Sequence, residues 1–238
     1  MSELLQTAKE NLLFLAVTAG IALALYAAAR LLEHGLHPHA VSRTRRLTSL
    51  AMCGALAAVL HIFDFPLPFL APGFYKLDFS ELPVLLCAFY LGPTAGVACE
   101  ALKILLKLLL KGTSTAFVGD FANFVVGCML VLPAAAVYLR HRSRKGAILG
   151  LALGTVVMTV FGTVFNALYL LPKFAQLYGM PMEAIVASGT AINPGIRSVW
   201  SLVLLAVAPL NLIKGTLVSV LTLLLYKRVQ RPLFGVRR

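Results

Sequence analysis

Charged residues are scarce in this chain, and acidic residues are the scarcest. Of the 238 residues, 13% are charged and only 9 are Asp or Glu, against 21 that are Lys or Arg. An ordinary soluble domain is about a quarter charged and about half apolar. Because 60% of this chain is hydrophobic, its composition excludes both an ordinary soluble domain and a disordered chain.

Motifs that carry catalytic or metal chemistry are also missing. The sequence contains no G-x-x-x-x-G-K-[ST] phosphate-binding loop, no H-E-x-x-H and no G-x-S-x-G. It therefore predicts neither ATP hydrolysis nor an enzyme. The 4 cysteines lie inside apolar stretches without paired spacing, which favours neither a disulfide framework nor a zinc site.

Long apolar stretches are what the sequence has in abundance. A helix needs about 20 mostly apolar residues to cross the hydrocarbon core of a membrane, so we predict an all-α polytopic membrane protein. The third stretch is short, and Gly92-Pro93 separates it from the fourth by a tight turn. The apolar stretches are Asn11–Leu32, Leu47–Asp64, Glu81–Leu91, Thr94–Leu110, Phe121–Leu139, Ala147–Leu171 and Ser198–Tyr226.

Basic residues cluster in three of the segments outside these stretches. Short cytoplasmic loops collect Lys and Arg, and the three clusters alternate correctly only if all of them face the cytoplasm. The N-terminus is then outside the cell membrane and the C-terminus is cytoplasmic. The net charge of +12 is thus a topology signal, with the lipid bilayer as partner and no role for nucleic acid. The clusters are Arg43–Arg46, Arg140–Lys145 and Lys227–Arg238.

Two of the segments predicted to lie outside are longer or richer in structure-forming residues than a connection requires. Phe65–Ser80 is dense in proline and aromatic residues, which restrict the backbone and offer flat apolar surfaces. Pro172–Arg197 is a long loop that ends in Asn193-Pro194-Gly195. Such loops are commonly lids or binding loops, so we expect the first one to close over a site.

Charged side chains inside the apolar stretches usually face a cavity or each other, because lipid does not solvate them. The fourth stretch carries four of them on one helical face, at offsets i, i+3, i+7 and i+11. Glu100 can pair with Lys103 one turn away. This stripe is compatible with a row of salt bridges and with a substrate contact, and Glu100 is the only carboxylate expected at depth. The members of the stripe are Glu100, Lys103, Lys107 and Lys111.

Amide side chains near the predicted outer ends of the later stretches indicate a binding pocket. Asn211 and Lys214 share a helical face, and Asn166 lies at a comparable depth. Asn offers a donor and an acceptor and Lys only donors, which suits a planar heterocycle with carbonyl and imide groups. A ligand carbonyl would also relieve part of the desolvation cost of Lys214. Asn123 is a further candidate contact, whereas Asp120 is expected to cap its helix.

Small residues form two faces of the second stretch. Ala51 with Ala55, and Gly54 with Ala58, are spaced so that another helix can approach closely. The pattern leaves open whether that helix belongs to this chain or to a separate protein.

From the Arg45–Leu50 region to the C-terminus, roughly four-fifths of the chain resembles the riboflavin-specific S components of energy-coupling factor (ECF) vitamin transporters. The resemblance is carried in order by LAMCGALAAVL, FPLPF…FYKLDFSELP, LGPTAGVACEALK, GDFANFVVG, VFNALYLLP and APLNLIKGTLVS. It implies a six-helix S-component-like bundle over residues 46–238. Residues 1–45, with one extra N-terminal transmembrane helix and a basic cytoplasmic loop, precede that bundle and depart from the family pattern.

The resemblance also implies partners. S components are membrane-embedded vitamin-binding subunits that open to the outside, and import depends on a separate transmembrane T subunit and two cytoplasmic ATPases. The small-residue face at Ala51 and Ala55 would meet the T subunit. The missing phosphate-binding loop agrees with this division of labour.

The same resemblance implies a site. Riboflavin is the transported ligand, no cofactor is implied, and the Phe74–Phe79 loop would close over the vitamin. The loop contacts would be Lys76, Leu77 and Phe79. The polar contacts to the isoalloxazine ring would be Asn166, Asn211 and Lys214, with Asn123 as a further contact.

A self-sufficient secondary transporter of a small solute is the alternative function. Inverted repeats between the two halves of a chain are typical of many such transporters, and this sequence shows no clear one. A purely structural membrane scaffold would leave the intramembrane Asn and Lys residues unexplained.

The charge pattern makes the orientation testable. Gly73→Cys, in the predicted outer loop, should react with a thiol reagent that is added outside and does not cross the membrane. Ser143→Cys, in the second basic cluster, is the matched control and should be spared. Labelling of Ser143→Cys with sparing of Gly73→Cys would contradict the predicted orientation.

Overall fold

The computed structural model describes residues 12–36, 38 and 41–234, with side chains up to Val229. Residues 1–11, 37 and 39–40 of the predicted N-terminal segment lie outside the described residues, as do Arg237 and Arg238 of the last basic cluster. The first half of the chain contains α1 (Leu12–Glu33), α2 (Arg43–Ile62), β1 (Phe65–Pro66), β2 (Lys76–Leu77), α3 (Glu81–Leu91), α4 (Pro93–Lys111) and α5 (Val118–Arg140). The second half contains α6 (Arg144–Phe165), α7 (Leu171–Tyr178), α8 (Met182–Thr190), α9 (Val199–Leu202) and α10 (Ala208–Phe234).

The prediction of an all-α polytopic membrane protein, with one helix before a six-helix bundle, is confirmed. Over the described residues, each predicted apolar stretch lies, to within two residues at its ends, in one helix or in helices joined end to end. Within the described residues, four helical segments are long and apolar enough to cross a membrane: Leu12–Glu33, Val118–Arg140, Arg144–Tyr178 and Val199–Val229. The helices α2, α3 and α4 are shorter or more polar. Of these, α2 and α4 border the cavity described below, and α3 begins with Glu81, which pairs with Lys214.

Several helix ends follow directly from capping residues in the sequence. Ser143 accepts a hydrogen bond from the backbone N–H of Gly146 at 3.0 Å, and α6 begins there. Ser198 and Ser201 form a capping box at the start of α9, which satisfies N–H groups that a helix start leaves unpaired. Gly92 joins α3 to α4 at φ +100°, a conformation that glycine adopts without steric cost.

Polar contacts mark the two ends of the helix bundle. At one end, Arg46 of α2 donates a hydrogen bond to the hydroxyl of Thr94, at the start of α4, at 3.1 Å. At the other end, Lys111 closes α4 and lies 3.0 Å from Asp64, which follows α2. Because α2 and α4 both run from the Thr94 end to the Asp64 end, they cross the bundle in the same direction, as the predicted alternation requires.

The extra helix α1 is largely exposed and packs against α4 and α5. Its C-terminal residue Glu33 accepts a hydrogen bond from the backbone N–H of Thr94 at 3.0 Å and lies 3.8 Å from Arg46. A carboxylate at a helix N-terminus satisfies free N–H groups and interacts favourably with the helix dipole. These contacts attach α1 to the bundle at the Thr94 end.

The loop before α3 enters the bundle. α3 has only 11 residues, a length of about 16 Å, which is roughly half the thickness of the hydrocarbon core. Glu81 at its start lies 3.3 Å from Lys103, and Lys103 is roughly 15 Å along α4 from Pro93. The chain has therefore reached mid-depth before α3 begins. Irregular backbone is tolerated at that depth because protein encloses it.

The exposed side chains of the Phe65–Ser80 loop all lie in the part up to Lys76. Phe65 and Phe69 are exposed, whereas Asp78 and Ser80 are buried. The two short strands β1 and β2 pair antiparallel at the base of the exposed part, with Phe65 opposite Leu77. The loop is thus a small hairpin followed by a descending segment.

The second predicted loop, Pro172–Arg197, is largely helical, which corrects the sequence-based expectation. α6 continues without a break through a π-helical segment and α7 to Tyr178, and α8 follows after Gly179. Ile185 and Ile196 are buried in a cluster with Leu202 of α9. The segment is a packed helical cap on the bundle.

Two π-helical segments make this continuation possible. Asn166–Leu170 joins α6 to α7, and Val203–Val207 joins α9 to α10. Each segment ends two residues before a proline, Pro172 or Pro209, which cannot donate a hydrogen bond to the preceding turn. The residue after each segment donates its N–H to the carbonyl five residues back, so the wider turn absorbs the proline. Such π turns frequently occur at functional sites.

Candidate functional site

The structure brings five of the seven predicted substrate contacts to one cavity. The cavity has a volume of about 200 Å³ and lies between the 65–80 loop, the start of α5 and the two π-helical segments. The predicted contacts that line it are Lys76, Asn123, Asn166, Asn211 and Lys214. The two predicted contacts outside its lining are Leu77 and Phe79.

Asn166 is buried and partly engaged within the protein. Its Oδ1 accepts a hydrogen bond from the hydroxyl of Tyr75 at 2.9 Å, and its Nδ2 donates to the carbonyl of Gly162 at 2.7 Å. An amide oxygen can accept twice and an amide nitrogen can donate twice. Asn166 therefore keeps one acceptor and one donor position for a ligand, and Tyr75 ties the 65–80 loop to this helix.

Asn123 and Asn211 make no hydrogen bond to the part of the chain that the structure describes. Both side chains are half-buried and line the cavity. Gly162 allows Asn211 to lie beside the helix of Asn166, because a Cβ at position 162 would be 2.7 Å from the amide nitrogen of Asn211. Polar groups removed from water cost free energy unless they are hydrogen-bonded, so these two amides are the groups that a polar ligand satisfies best.

Aromatic and aliphatic side chains form the remaining wall of the cavity. The rings of Phe74 and Tyr75 are 4.6 Å apart, and Phe74 meets Phe174 edge-to-face at 6.3 Å. The aliphatic lining residues are Ala122, Val126, Leu170, Val207 and Leu210. Within the described residues no cluster of His, Cys, Asp or Glu could hold a metal ion. The cavity therefore combines convergent amides with a flat apolar wall, which suits a planar ligand with one polar edge.

Lys214 is paired with two carboxylates at the start of α3. Its Nζ lies 3.1 Å from Oδ2 of Asp78 and 3.1 Å from Oε2 of Glu81. The desolvation of Lys214 is thus offset by two carboxylates of the protein, partners that the sequence did not predict, and a share of this relief by a ligand carbonyl stays a prediction. An ammonium has three N–H donors, so one remains for a ligand in the cavity.

These pairs belong to a larger buried charge network. Lys103 lies 3.3 Å from Glu81 and 2.5 Å from Glu100, and the side chains of Lys103 and Glu100 are 0% exposed. The expectation that Glu100 is the only carboxylate at depth is therefore wrong. The buried charge network consists of His61, Asp78, Glu81, Glu100, Lys103 and Lys214.

One further contact and one glycine complete the surroundings of this network. Nδ1 of His61, in the last turn of α2, lies 3.3 Å from Oδ2 of Asp78. Gly127 of α5 makes room for Glu100, because a Cβ at position 127 would be 2.6 Å from Oε1 of that carboxylate. The network thus involves four helices and the loop that enters the bundle.

Asp120 does not cap α5 as expected but forms an ion pair. Its Oδ1 lies 2.5 Å from Nζ of Lys107, and its Oδ2 accepts a hydrogen bond from the hydroxyl of Thr113 at 2.8 Å. Lys107 belongs to the charged stripe on α4, whose next member, Lys111, pairs with Asp64. The structure therefore favours the salt-bridge interpretation of the stripe.

Asp64 and Lys76 lie at the open end of the cavity, and Lys111, which is outside the lining, contacts Asp64. Partial burial raises the pKa of the Asp64 carboxyl, but the hydrogen bonds and the positive charges of Lys111 and Lys76 together outweigh burial and leave this pKa below its usual value. The stability that these pairs contribute is therefore fully present above the ordinary Asp pKa and is lost as the pH falls through the lowered one. At neutral pH the Asp64 carboxyl is ionised.

Leu77 and Phe79 fix the loop in place. Leu77 is 1% exposed, and the half-buried ring of Phe79 lies 6.2 Å from that of Phe65. Both side chains pack the 65–80 loop against the bundle instead of facing the cavity.

Sequence reasoning missed Tyr75, Asp78 and Glu81. An acidic residue immediately before an apolar run is typical of a helix N-terminus, so Asp78 and Glu81 gave no sign of their depth. The tyrosine lies among the aromatic residues of the loop, where its hydroxyl had no predicted partner. The available signal was the length of the third apolar stretch: its 11 residues are too few to cross the membrane, so the chain before it has to enter the bundle.

The two small-residue faces of α2 have different environments. Gly54 and Ala58 are buried, and a Cβ at position 54 would be 2.5 Å from Cδ2 of Leu102 on α4. Ala51 and Ala55 are exposed. The Gly54 face therefore packs within the chain, and the Ala51 face is accessible.

A family model described as ECF transporter, substrate-specific component, matches residues 45–226. The match begins after α1 and spans all the residues that line the cavity. The resemblance to S components is thereby confirmed.

Curated relatives and a solved structure agree with this match. The chain is 31% identical over 189 residues to the riboflavin transporter FmnP of Bacillus subtilis (strain 168), covering 79% of this chain and 93% of the relative. It is 35% identical over 194 residues to the riboflavin transporter RibU of Staphylococcus aureus (strain TCH60), covering 79% and 92%. A solved S component of a bacterial ECF transporter is similar at 37% identity and a TM-score of 0.63, covering 81% of this chain and 99% of that chain.

The buried pairing of Lys214 leads to a stability prediction. Lys214→Met should destabilise the protein by about 3–5 kcal/mol, because it leaves buried carboxylates without their ammonium partner. Unfolding of the purified protein is followed with a thiol-reactive fluorophore, which reports the exposure of the buried cysteines.

The matched control is Lys173→Met, which removes an exposed ammonium from α7 and should unfold like the parent protein. Adding Asp78→Asn to Lys214→Met should recover part of the lost stability, since it removes one of the unpaired charges. A Lys214→Met protein as stable as the parent would contradict the structural role of the network.

Proposed function

Because the chain belongs to the family of ECF transporter substrate-specific components, we propose that it is a membrane-embedded subunit that binds riboflavin for import. The observation that carries the proposal is the convergence of Asn123, Asn166 and Asn211 on one cavity with aromatic walls. The relatives described above are riboflavin transporters, and the cavity offers the groups that a flavin ring requires. The proposal assigns no catalytic step to this chain.

In the proposed complex, the pyrimidine edge of the isoalloxazine ring meets the deep polar side chains. This edge presents carbonyl acceptors and an imide N–H donor. Asn166 retains one donor and one acceptor position, Asn211 offers both kinds of group, and Lys214 retains one donor. The apolar dimethylbenzene side of the ring lies against Phe74 and Phe174.

The 65–80 loop has two proposed roles. Phe74 and Lys76 are exposed and line the cavity, so they cover the ligand. Leu77 and Phe79, predicted as direct contacts, act by holding the loop against the bundle. Tyr75 positions Asn166 through its hydrogen bond.

We also propose that residues 46–238 form the substrate-binding domain, and that import requires a T subunit and two cytoplasmic ATPases. The sequence has no phosphate-binding loop with which to hydrolyse ATP itself. The exposed Ala51 and Ala55 on α2 allow a helix of the T subunit to approach closely. Within residues 1–45, the described helix α1 packs against α4 and α5 and serves as an attached anchor that leaves this face uncovered.

The proposed orientation places the N-terminus outside and the C-terminus in the cytoplasm. The cavity opens at the Asp64 end of the bundle, and the basic cluster of Arg43–Arg46 lies at the Thr94 end. With that cluster in the cytoplasm, the cavity faces the outside, as capture of an external vitamin requires.

The proposed ring contacts are tested by removing single amides. Asn166→Ala and Asn211→Ala should each weaken riboflavin binding roughly tenfold to a hundredfold, because each loss leaves a buried polar group unpaired at a cost of about 1–3 kcal/mol. The measurement is a titration of the purified full-length protein, followed by the quenching of flavin fluorescence. Gln176→Ala, which removes an exposed amide outside the cavity, should bind like the parent. Parent-like binding by both Asn variants would place the site elsewhere.

The proposed partner surface is tested by bulky substitutions. Ala51→Trp and Ala55→Trp should abolish riboflavin uptake by cells while the purified variants bind riboflavin nearly as the parent does, because large side chains prevent close helix approach. Ala152→Trp, at an exposed position on α6, is the control and should support uptake. Loss of binding together with uptake would show that the Ala51 face packs within the chain.

A further inference from the structure

Asp64 lies between two lysines at the open end of the cavity. Both of its carboxylate oxygens are 3.3 Å from Nζ of Lys76, and Oδ1 is also 3.0 Å from Nζ of Lys111. The side chain of Asp64 is 22% exposed, against 42% for Lys76 and 40% for Lys111. The two ammonium groups thus already hold an anion that is part of the chain.

The other lysines of the cavity are paired as well. Lys107 contacts Asp120, and Lys214 contacts Asp78. The lining as described contains three carboxylates and three ammonium groups, and each ammonium has a carboxylate within 3.3 Å. A second anion would therefore have to compete with a carboxylate of the protein.

The open end is where the side chain of a bound flavin belongs, a step that rests on the proposed function. The groups proposed to hold the ring edge, Asn166 and Lys214, are 5% and 9% exposed. The cavity is more exposed at Asp64, Lys76 and Ser114. With its polar edge held at depth, the ring directs its side chain toward Asp64.

A free polyol and a phosphate ester interact with this end in opposite ways. Hydroxyl groups can donate to the carboxylate of Asp64, and hydrogen bonds to an ionised acceptor are among the stronger ones. A phosphate monoester carries a charge of about −1.5 to −2 near pH 7 and offers mainly acceptors. It is repelled by Asp64 and reaches the two lysines only by displacing that carboxylate.

We propose that Asp64 is a specificity-determining residue, which makes the cavity favour a flavin whose side chain ends in a hydroxyl over the same flavin with a terminal phosphate. Asp64 occupies the position between Lys76 and Lys111 that the phosphate would otherwise take. The specificity is thus set by an anion of the protein at the open end and not by the groups that hold the ring.

The test compares riboflavin with its 5′-phosphate, FMN, by fluorescence titration of the purified full-length protein at low salt. The parent should bind FMN at least about tenfold more weakly than riboflavin, and Asp64→Asn should reduce this ratio about tenfold, since it removes a like charge and frees two lysines. Glu183→Gln makes the same change of net charge at an exposed position outside the cavity and should leave the ratio unchanged.

Lys111→Met provides an independent variant, because it leaves Asp64 with a single ammonium partner. The ratio should then rise by about threefold or more, as the open end becomes more negative. A parent that binds both flavins equally would overturn the inference. An Asp64→Asn protein that still binds riboflavin and keeps the parent's ratio of FMN to riboflavin dissociation constants would also overturn it. So would a Lys111→Met protein in which this ratio is unchanged or lower. A parent that binds no riboflavin would instead overturn the proposed function, and this inference with it.

Discussion

The pairing of buried charges at mid-depth is the constraint on which the rest of the structure depends. Asp78 and Glu81 arrive from the loop, Lys103 from α4 and Lys214 from α10. A lone charge inside the membrane is costly, and breaking a buried pair is more unfavourable than never having formed it. Each element is therefore tolerated only when the others are in place, which fixes the loop, α4 and α10 relative to one another.

The geometry of the site follows from this arrangement. Because Glu81 meets Lys103 at mid-depth, α3 needs to complete only half of the crossing, and the segment before it is free to form the wall of a cavity. Tyr75 in that segment then reaches Asn166. Across the cavity, Lys214 lies one turn beyond Asn211, so the ion pair that holds Lys214 also sets the position of the amide. The contacts that stabilise the bundle are thus also the ones that orient the amides of the cavity.

The helices and several polar residues of the cavity could be predicted because they are properties of single segments. Hydropathy marks each apolar stretch, and an amide in such a stretch is conspicuous whatever its partner is, as with Asn166. The partners themselves could not be predicted, since Asp78 is 136 residues away from Lys214 along the chain. The depth of Asp78 depends on how the loop folds, and nothing local encodes that. Similarly, Pro172 indicated the end of a helix, whereas the helix continues through it by way of a π turn. A π turn that absorbs a proline has no clear sequence pattern and could not be predicted.

The buried charge network also limits which part of the site can open. Displacing Asp78 or Glu81 separates buried ions at a cost of about 3–5 kcal/mol, whereas an exposed pair such as Lys76 with Asp64 contributes only about 0–1 kcal/mol. The difference of about 2–5 kcal/mol corresponds to a factor of roughly thirty to several thousand in population. The exposed tip of the hairpin therefore moves at a lower cost than the descending segment, while Tyr75 and Leu77 keep its base packed against the bundle. With riboflavin as the proposed ligand and in the proposed orientation, entry past the hairpin leaves the network undisturbed, whereas discharge on the opposite side requires work on the whole bundle. That requirement is a physical reason for a binding subunit to depend on separate, ATP-consuming partners.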